Sequence, residues 1–216
     1  MTKRAFLFDM DGVIVNSEVT WSKHGMDFAE RLYGKDILEK MGDMVGASLD
    51  HEYAEAKKHG FAMDLDEYYR RYDEQAAKMY ALSSITDGLA DLINFLKTNE
   101  YTTGIVSSSR RPWIEFVLEK IGDRSLFDYT ISLNEAGLLS KPAPDGYIRA
   151  MKDLGIAPES TIILEDSNNG IRSAKDSGAF VIGFTPHLVE GYAQTVPANA
   201  VAKNFKKVKE IVEKRK

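Results

Sequence analysis

The chain of 216 residues contains no cysteine. Disulfide bonds, thiolate nucleophiles and sulfur-liganded metal sites are therefore excluded, and carboxylates are expected to hold any metal ion. A long hydrophobic run is also missing. The apolar segment 5–8 near the N-terminus is far too short for a signal-peptide core or a membrane span. We therefore expect a cytoplasmic protein with no membrane partner.

The sequence also has little excess positive charge. Its formal net charge is -5 at pH 7. Because such a protein has no general field that attracts a polyanion, a nucleic-acid partner is not expected. What the chain does have is 44% hydrophobic and 28% charged residues, the composition of an ordinary globular protein with a substantial core.

The hydrophobic pattern changes twice along the chain. The continuous apolar run at 5–8 is typical of a strand buried on both faces. Apolar residues then recur at helical spacing up to about residue 80, and from residue 86 onward helical stretches alternate with short β-branched runs. The later strand candidates are 102–106, 129–132, 161–164, 180–182 and, more weakly, 200–202.

This alternation predicts an α/β fold, with a parallel sheet flanked by helices. The sheet domain is expected to comprise residues 1–15 and 81–216, and a helical insert is expected to comprise residues 16–80. At least two amphipathic helices are predicted within the insert.

Polar side chains follow several of the predicted strands. In parallel α/β sheets, ligands bind outside the carboxyl ends of the strands, so these residues belong together. The set, with one lysine from a later loop, is Asp9, Asp11, Ser107, Glu165, Asp166 and Lys141. Several carboxylates with one lysine and one hydroxyl suit Mg²⁺ together with a phosphoryl group, because the cation and the lysine offset the repulsion between the anions.

The two aspartates at the first strand end are expected to divide the chemistry. Asp9 is the candidate nucleophile, because a carboxylate that attacks phosphorus gives an aspartyl-phosphate. Asp11 is the candidate general acid and base, and Gly12 would help the chain to turn so that both side chains face the site. Taken singly, these residues have ordinary structural explanations such as turns, helix caps and solvated loops; their joint position favours a site.

Four segments resemble the motifs of the haloacid dehalogenase superfamily, in order and over nearly the whole chain. They are FLFDMDGV at 6–13, IVS at 105–107, SKPAPD at 140–145 and ILEDSNNGI at 163–171. The resemblance implies a Rossmann-like core domain, and it implies that the insert at 16–80 is an α-helical cap. It points to the branch of the superfamily that contains β-phosphoglucomutase and related phosphatases.

The resemblance also implies roles for individual residues. Asp9 would be the nucleophile and a Mg²⁺ ligand, and Asp11 the general acid/base, with its main-chain carbonyl on the metal. The groups that would hold the phosphoryl oxygens are Ser107, Ser108 and Lys141, and the remaining Mg²⁺ ligands would be Asp166 and Glu165. Members that dehalogenate haloacids lack the second aspartate, so Asp11 indicates a phosphate ester as the substrate.

Within this branch, β-phosphoglucomutase carries a histidine on the first cap helix and an arginine in a Gly-x-Ser-Arg segment. The corresponding residues here are Trp21 and Leu49, the latter in the segment Gly-Ala-Ser-Leu at 46–49. Since the cation that would grip a second phosphate is lost, we predict a phosphatase for a small phosphomonoester such as a sugar or polyol phosphate. A sugar-phosphate mutase is the alternative, and a phospho-receiver signalling module is a more distant one.

The cap is expected to choose the substrate, because a lid supplies contacts beyond the phosphate. The candidate specificity residues are Trp21, Met44, Ser48 and Arg110. Each has a competing explanation: Trp21 at helical spacing suits a core position, Met44 suits a gap-filler, and Arg110 suits a solvated helix start. The expected partner is a small phosphate ester, and the expected assembly is a monomer or a homodimer.

Overall fold

The computed structural model describes residues 3–42, 44 and 48–215. Its sheet has six parallel strands within these residues. They are β1 (Arg4–Phe8), β2 (Tyr101–Ser107), β3 (Tyr129–Ser132), β4 (Thr161–Glu165), β5 (Phe180–Phe184) and β6 (Ala200–Ala202). The order across the sheet is β3-β2-β1-β4-β5-β6. The predicted α/β fold is confirmed, including the weak candidate that became β6.

Helices of the described residues fall into two groups along the chain. Four follow β1 directly in the chain: α1 (Ser17–Tyr33), α2 (Lys35–Met41), α3 (Leu49–Lys58) and α4 (Leu65–Leu82). The others flank the sheet: α5 (Leu89–Thr98), α6 (Arg111–Ile121), α7 (Asp145–Leu154), α8 (Asn168–Asp176) and α9 (Phe205–Glu213). The first group is the inserted helical cap, which is confirmed as an element of the fold. The domain bounds 1–15, 16–80 and 81–216 remain our proposal.

None of the helices in the described part of the chain combines the length and the apolar character needed to cross a membrane.

The sheet is the middle layer of three. Successive side chains of a strand point to opposite faces, so Phe6 and Phe8 of β1 enter one hydrophobic cluster and Leu7 enters another. Buried residues of α5, α6 and α9 complete the first cluster, and buried residues of α7 and α8 complete the second. This two-sided burial explains why β1 is a continuous apolar run rather than an alternating one.

The cap has a core of its own, which is rich in tyrosine. Phe28 of α1 packs edge-on against Tyr72 of α4, with ring centroids 5.0 Å apart. The Tyr72 hydroxyl donates a hydrogen bond of 2.6 Å to Glu52 of α3, and it lies 3.2 Å from the Tyr33 hydroxyl of α1. One polar network inside the apolar cluster therefore joins α1, α3 and α4.

The cap docks on the core through α6. Trp21 of α1 stacks on Trp113 of α6, with ring centroids 6.0 Å apart and an interplanar angle of 28°. The Trp113 indole Nε1 donates a 2.7 Å hydrogen bond to Asp73 of α4, and Arg110 Nη2 lies 3.4 Å from the same carboxylate. Asp73 thus receives two donors from the core domain.

The chain crosses between the core and the cap twice, and the two crossings are paired. The Asn16 amide donates to the Ser84 carbonyl at 2.9 Å, and the Thr86 amide donates to the Ile14 carbonyl at 2.9 Å. The Thr86 hydroxyl also donates to the Val13 carbonyl at 2.7 Å. The entry to the cap and the exit from it therefore lie side by side above the end of β1.

We predict that Trp113→Phe destabilises the folded protein. Phenylalanine can still stack on Trp21, but Asp73 loses its indole donor. Loss of one hydrogen bond to a partly buried carboxylate typically lowers the free energy of unfolding by about 1–3 kcal/mol. Thermal unfolding followed by circular dichroism would measure this. Glu74→Gln on α4 is the control and should change the midpoint little, because it removes only an exposed ion pair with Arg70, and such pairs contribute little to stability. Equal midpoints for both variants would contradict the proposed docking contact.

Candidate active site

The carboxyl ends of β1 and β4 lie side by side, at the point where the strand order reverses. From β1 the chain proceeds to β2 and β3 on one side, whereas β4, β5 and β6 extend the sheet on the other. Such a reversal opens a crevice that parallel sheets use for ligands. Asp9 follows β1, and its amide donates to the Leu164 carbonyl of β4 at 3.0 Å. Glu165 is the last residue of β4 and Asp166 follows it, so the two strand ends bring these carboxylates together.

Three carboxylates form a cluster in this crevice. One oxygen from each of Asp9, Glu165 and Asp166 lies within 4.8 Å of the others, and all three residues are buried. Burial raises the pKa of Asp9 and Asp166 well above the ordinary aspartate value, and the neighbouring negative charges also raise it, while attraction to Lys141 acts in the opposite direction, most strongly at Asp9. The three atoms that could bind a metal are all carboxylate oxygens, and their negative charges repel one another. The cluster therefore fits a divalent cation.

Lys141 supplies the positive charge that the protein itself brings to the cluster. Its Nζ donates to Asp9 Oδ1, to Glu165 Oε1 at 2.6 Å and to the Val106 carbonyl at 3.1 Å. Burial opposes the charge on this side chain, but attraction to Asp9 and Glu165 raises the pKa of Lys141 well above its usual range. The lysine is therefore charged at neutral pH, despite a side chain that is only 8% exposed.

Glu165 is held from several sides and serves as an anchor for Lys141. The Tyr147 hydroxyl of α7 donates to Glu165 Oε1 at 2.8 Å, and the amides of Asp166 and Ser167 point at Oε2 from 3.1 and 3.4 Å. Burial raises the pKa of Tyr147 well above its ordinary value, so its hydroxyl stays protonated and can donate this hydrogen bond. Sequence reasoning did not find Tyr147 as a site residue, because only the packing of α7 brings its hydroxyl to Glu165.

Two glycines make room for the carboxylates. Gly12 has a φ of +75°, and a Cβ built on it would lie 1.9 Å from Asp166 Oδ2. A Cβ on Gly170 of α8 would lie 2.0 Å from the Glu165 carboxylate. Contacts this short are impossible for real side chains, so both positions require glycine to keep the carboxylates where they are.

Asp11 has a different set of partners from Asp9. Its Oδ1 accepts hydrogen bonds from the Ser17 hydroxyl at 2.5 Å and from the Tyr80 hydroxyl at 2.8 Å. Its Oδ2 accepts one from the Ser109 hydroxyl at 2.6 Å. One aspartate is therefore ion-paired and the other is held by neutral hydroxyls, which is the kind of difference that separate chemical roles require. These three hydroxyl donors were missed at the level of sequence.

The predicted phosphate-binding serines occupy different surroundings. Ser107, the last residue of β2, is buried, and its Oγ accepts a 3.0 Å hydrogen bond from the Ser109 amide. Ser108 is exposed on the loop that follows. Lys141 bonds to the carbonyl of the residue before Ser107, so the structure brings the lysine and the β2 end together. Their roles toward phosphate remain predictions.

Two of the candidate specificity residues lie at the interface between cap and core. Trp21 packs against both the core cluster and the cap cluster and is stacked on Trp113. The Arg110 guanidinium lies 4.0 Å above the Tyr69 ring of α4, and its Nη1 is buried with no hydrogen-bond partner among the described residues. Arg110 also lines a cavity of about 470 Å³, together with residues of α4 that include Arg70 and Glu74. Contact with a substrate stays a prediction for both.

The other two candidates lie around the start of α3. Met44 packs against the cap cluster. Ser48 caps α3, since its hydroxyl accepts a 3.3 Å hydrogen bond from the His51 amide. Gly46 and Ala47, which belong to the segment 46–49 that was compared with the Gly-x-Ser-Arg segment of β-phosphoglucomutase, lie outside the described residues. The structure thus gives Ser48 a local structural contact, and its role toward a substrate remains a prediction.

Comparison with known proteins identifies the family. Residues 6–184 match the family described as haloacid dehalogenase-like hydrolase. Validoxylamine A 7'-phosphate phosphatase of Streptomyces hygroscopicus subsp. limoneus is 29% identical over 202 residues, which cover 87% of this chain and 89% of that protein. Hexitol phosphatase B of Escherichia coli is 28% identical over 178 residues, covering 79% of this chain and 78% of the relative.

Solved structures show the same fold. CbbY from Rhodobacter sphaeroides, crystallised in complex with phosphate, superposes with a TM-score of 0.78 and covers 96% of each chain at 22% identity. Likeness at this identity shows the fold alone. The family match spans the segment from β1 through β5, which contains each carboxylate of the cluster.

We predict that Gly12→Ala weakens the cation site. The new methyl group meets Asp166, and a left-handed backbone strains alanine by roughly 1–2 kcal/mol. Gly122→Ala is the matched control, because Gly122 has a φ of +78° but a Cβ added there would have no neighbouring atom within 4 Å. Both variants should unfold at lower temperature, but only Gly12→Ala should lose the rise in unfolding temperature on adding Mg²⁺. A rise equal to that of the wild type would contradict this role of Gly12.

Proposed function

The chain belongs to the haloacid dehalogenase-like hydrolases, and from that premise we propose that it is a magnesium-dependent phosphatase acting on a small phosphomonoester, such as a sugar or polyol phosphate. The observation that carries the proposal is the pairing of Asp9 with buried Lys141 inside the carboxylate cluster, while Asp11 is held separately. The relatives named for phosphorylated small molecules support the substrate class.

The metal would be held by Asp9, Asp166, the main-chain carbonyl of Asp11 and Glu165. Carboxylate and carbonyl oxygens are the ligands that Mg²⁺ prefers, and the buried cluster has excess negative charge that a dication would offset. When bound, Mg²⁺ supplies positive charge that lowers repulsion between the carboxylates and an anionic phosphate and polarises a phosphoryl oxygen.

The chain's own residues perform the transfer in two steps. A carboxylate oxygen of Asp9 attacks phosphorus and forms an acyl phosphate, while the bond from phosphorus to the ester oxygen breaks and Asp11 gives its proton to that oxygen. Asp11 then takes a proton from a water molecule that attacks phosphorus, which releases inorganic phosphate and restores Asp9. Lys141 and Ser107 hold phosphoryl oxygens throughout.

The partners of the two aspartates support this division. Lys141 stabilises negative charge on Asp9, as a nucleophile requires. The carboxyl group of Asp11 contacts hydroxyls that can donate or accept, so its partners suit both the protonated and the ionised form. A single lysine thereby favours one aspartate for attack and leaves the other for proton transfer.

A sugar-phosphate mutase is the nearer alternative and is less well supported. It would need a cap cation on a second phosphate, whereas Leu49 at the start of α3 packs against the apolar cap cluster. Incubation with a hexose 1-phosphate and a bisphosphate activator distinguishes the two: a phosphatase releases inorganic phosphate, and a mutase accumulates the isomeric hexose phosphate. Sustained phosphate release would also rule out a phospho-receiver module.

We predict that Asp9→Asn removes activity and preserves the fold. An amide cannot form the acyl phosphate, so Mg²⁺-dependent release of phosphate from p-nitrophenyl phosphate should fall by more than about a thousandfold. Asp91→Asn, an exposed change on α5, is the control and should retain wild-type turnover. Circular dichroism should show the same helix content in both. Full activity in Asp9→Asn would refute the assignment of the nucleophile.

A further inference from the structure

Tyr80 occupies a position between the two domains. It lies in the last turn of α4, a helix whose earlier part packs in the cap, yet its ring belongs to the hydrophobic cluster of the sheet domain. The ring is 1% exposed, and its centroid lies 6.3 Å from the Trp113 ring of α6. Because tightly packed rings do not shift freely, the position of the Tyr80 hydroxyl is fixed by the core.

That hydroxyl points at Asp11. It donates to Oδ1 at 2.8 Å, and the Ser17 hydroxyl donates to the same oxygen at 2.5 Å. Ser17 begins α1, where the chain enters the cap, and Tyr80 lies in the last turn of α4, where the chain leaves it. Donors from both crossings therefore converge on one carboxylate oxygen, and Ser109 of the core holds the other.

We propose that Tyr80 is a positioning residue for Asp11: its hydroxyl fixes the carboxyl group in the orientation from which a proton reaches the leaving oxygen. The inference rests on the proposed function. An aspartate carboxyl group rotates in a broad torsional well, so its direction is set by its partners. The hydroxyls of Ser17 and Ser109 sit on short side chains, whereas the tyrosine oxygen lies in the plane of a ring packed in the core.

Tyr80 keeps its own proton during the reaction. The proton that protonates the ester oxygen comes from Asp11, as the bond from phosphorus to that oxygen breaks and the bond to Asp9 forms. Loss of the tyrosine hydroxyl would therefore leave the reaction path intact but would misplace the proton donor. Small misplacements of a reacting group can cost up to about a hundredfold in rate.

Dependence on the leaving group separates this role from a merely structural one. A basic leaving group such as phenolate needs the proton from Asp11, while p-nitrophenolate is a stable anion that leaves without it. The two esters are nearly the same size, so a general distortion of the site should slow both alike.

The experiment compares kcat/KM of the Mg²⁺-loaded full-length enzyme on phenyl phosphate and p-nitrophenyl phosphate. Tyr80→Phe keeps the ring and removes the hydroxyl. It should lower kcat/KM roughly tenfold on phenyl phosphate, an effect of the size of one hydrogen bond, and less than about twofold on p-nitrophenyl phosphate. Asp11→Asn should show a larger loss with the same selectivity.

Tyr72→Phe is the matched control. It removes a tyrosine hydroxyl from the same helix, but that hydroxyl bonds to Glu52 in the cap and not to Asp11. It should change neither rate by more than about twofold. If Tyr80→Phe lowers both rates equally or neither, or if Tyr72→Phe produces the same selective loss, the positioning role is overturned.

Failure of the proposed function would look different. A wild-type enzyme that releases no phosphate from either ester, or an Asp11→Asn variant without selectivity, would overturn the roles proposed for the site, and the inference on Tyr80 with them. Selectivity in Asp11→Asn together with an unchanged Tyr80→Phe would overturn the inference alone.

Discussion

The ion pairs of Lys141 are the contacts on which the site depends. One ammonium group joins three adjacent strands: it bonds to Asp9 at the end of β1, to the Val106 carbonyl in β2 and to Glu165 at the end of β4. Removing one partner from a buried ion pair leaves an uncompensated charge, which costs about 3–5 kcal/mol. The ends of three strands and the position of Asp9, the proposed nucleophile, are therefore linked through one side chain.

The remainder of the site compensates for concentrating charge in a buried crevice. Tyr147 and two main-chain amides satisfy the oxygens of Glu165, and the absence of a Cβ at Gly12 and Gly170 lets the carboxylates approach the backbone closely. A polar network of this kind is stabilising only when its members are satisfied. The arrangement explains how carboxylates with raised pKa values can be buried together at a site suited to a cation.

Much of the fold and part of the site could be predicted from the sequence. Strands that are buried on both faces leave short apolar runs, and parallel sheets collect ligands at one edge, so the grouping of Asp9 with Lys141 and Asp166 was accessible. The hydroxyls of Ser17 and Tyr80 were not, because only tertiary packing brings α1 and α4 to Asp11. Helix α2, with 7 residues, spans too few turns for its periodicity to stand out. Ser48 was considered for the substrate pocket, but its observed contact caps α3.

The central claim is that the phosphoryl group is bound covalently to Asp9 between the two steps of the reaction. Mg²⁺-loaded enzyme can be mixed with p-nitrophenyl phosphate, quenched in acid and treated with borohydride, which reduces an acyl phosphate to an alcohol. Peptide mass spectrometry would then locate the modified residue. We predict homoserine at position 9, dependent on substrate. Reduction at Asp11, or no reduced residue in an enzyme that is turning over, would contradict the claim.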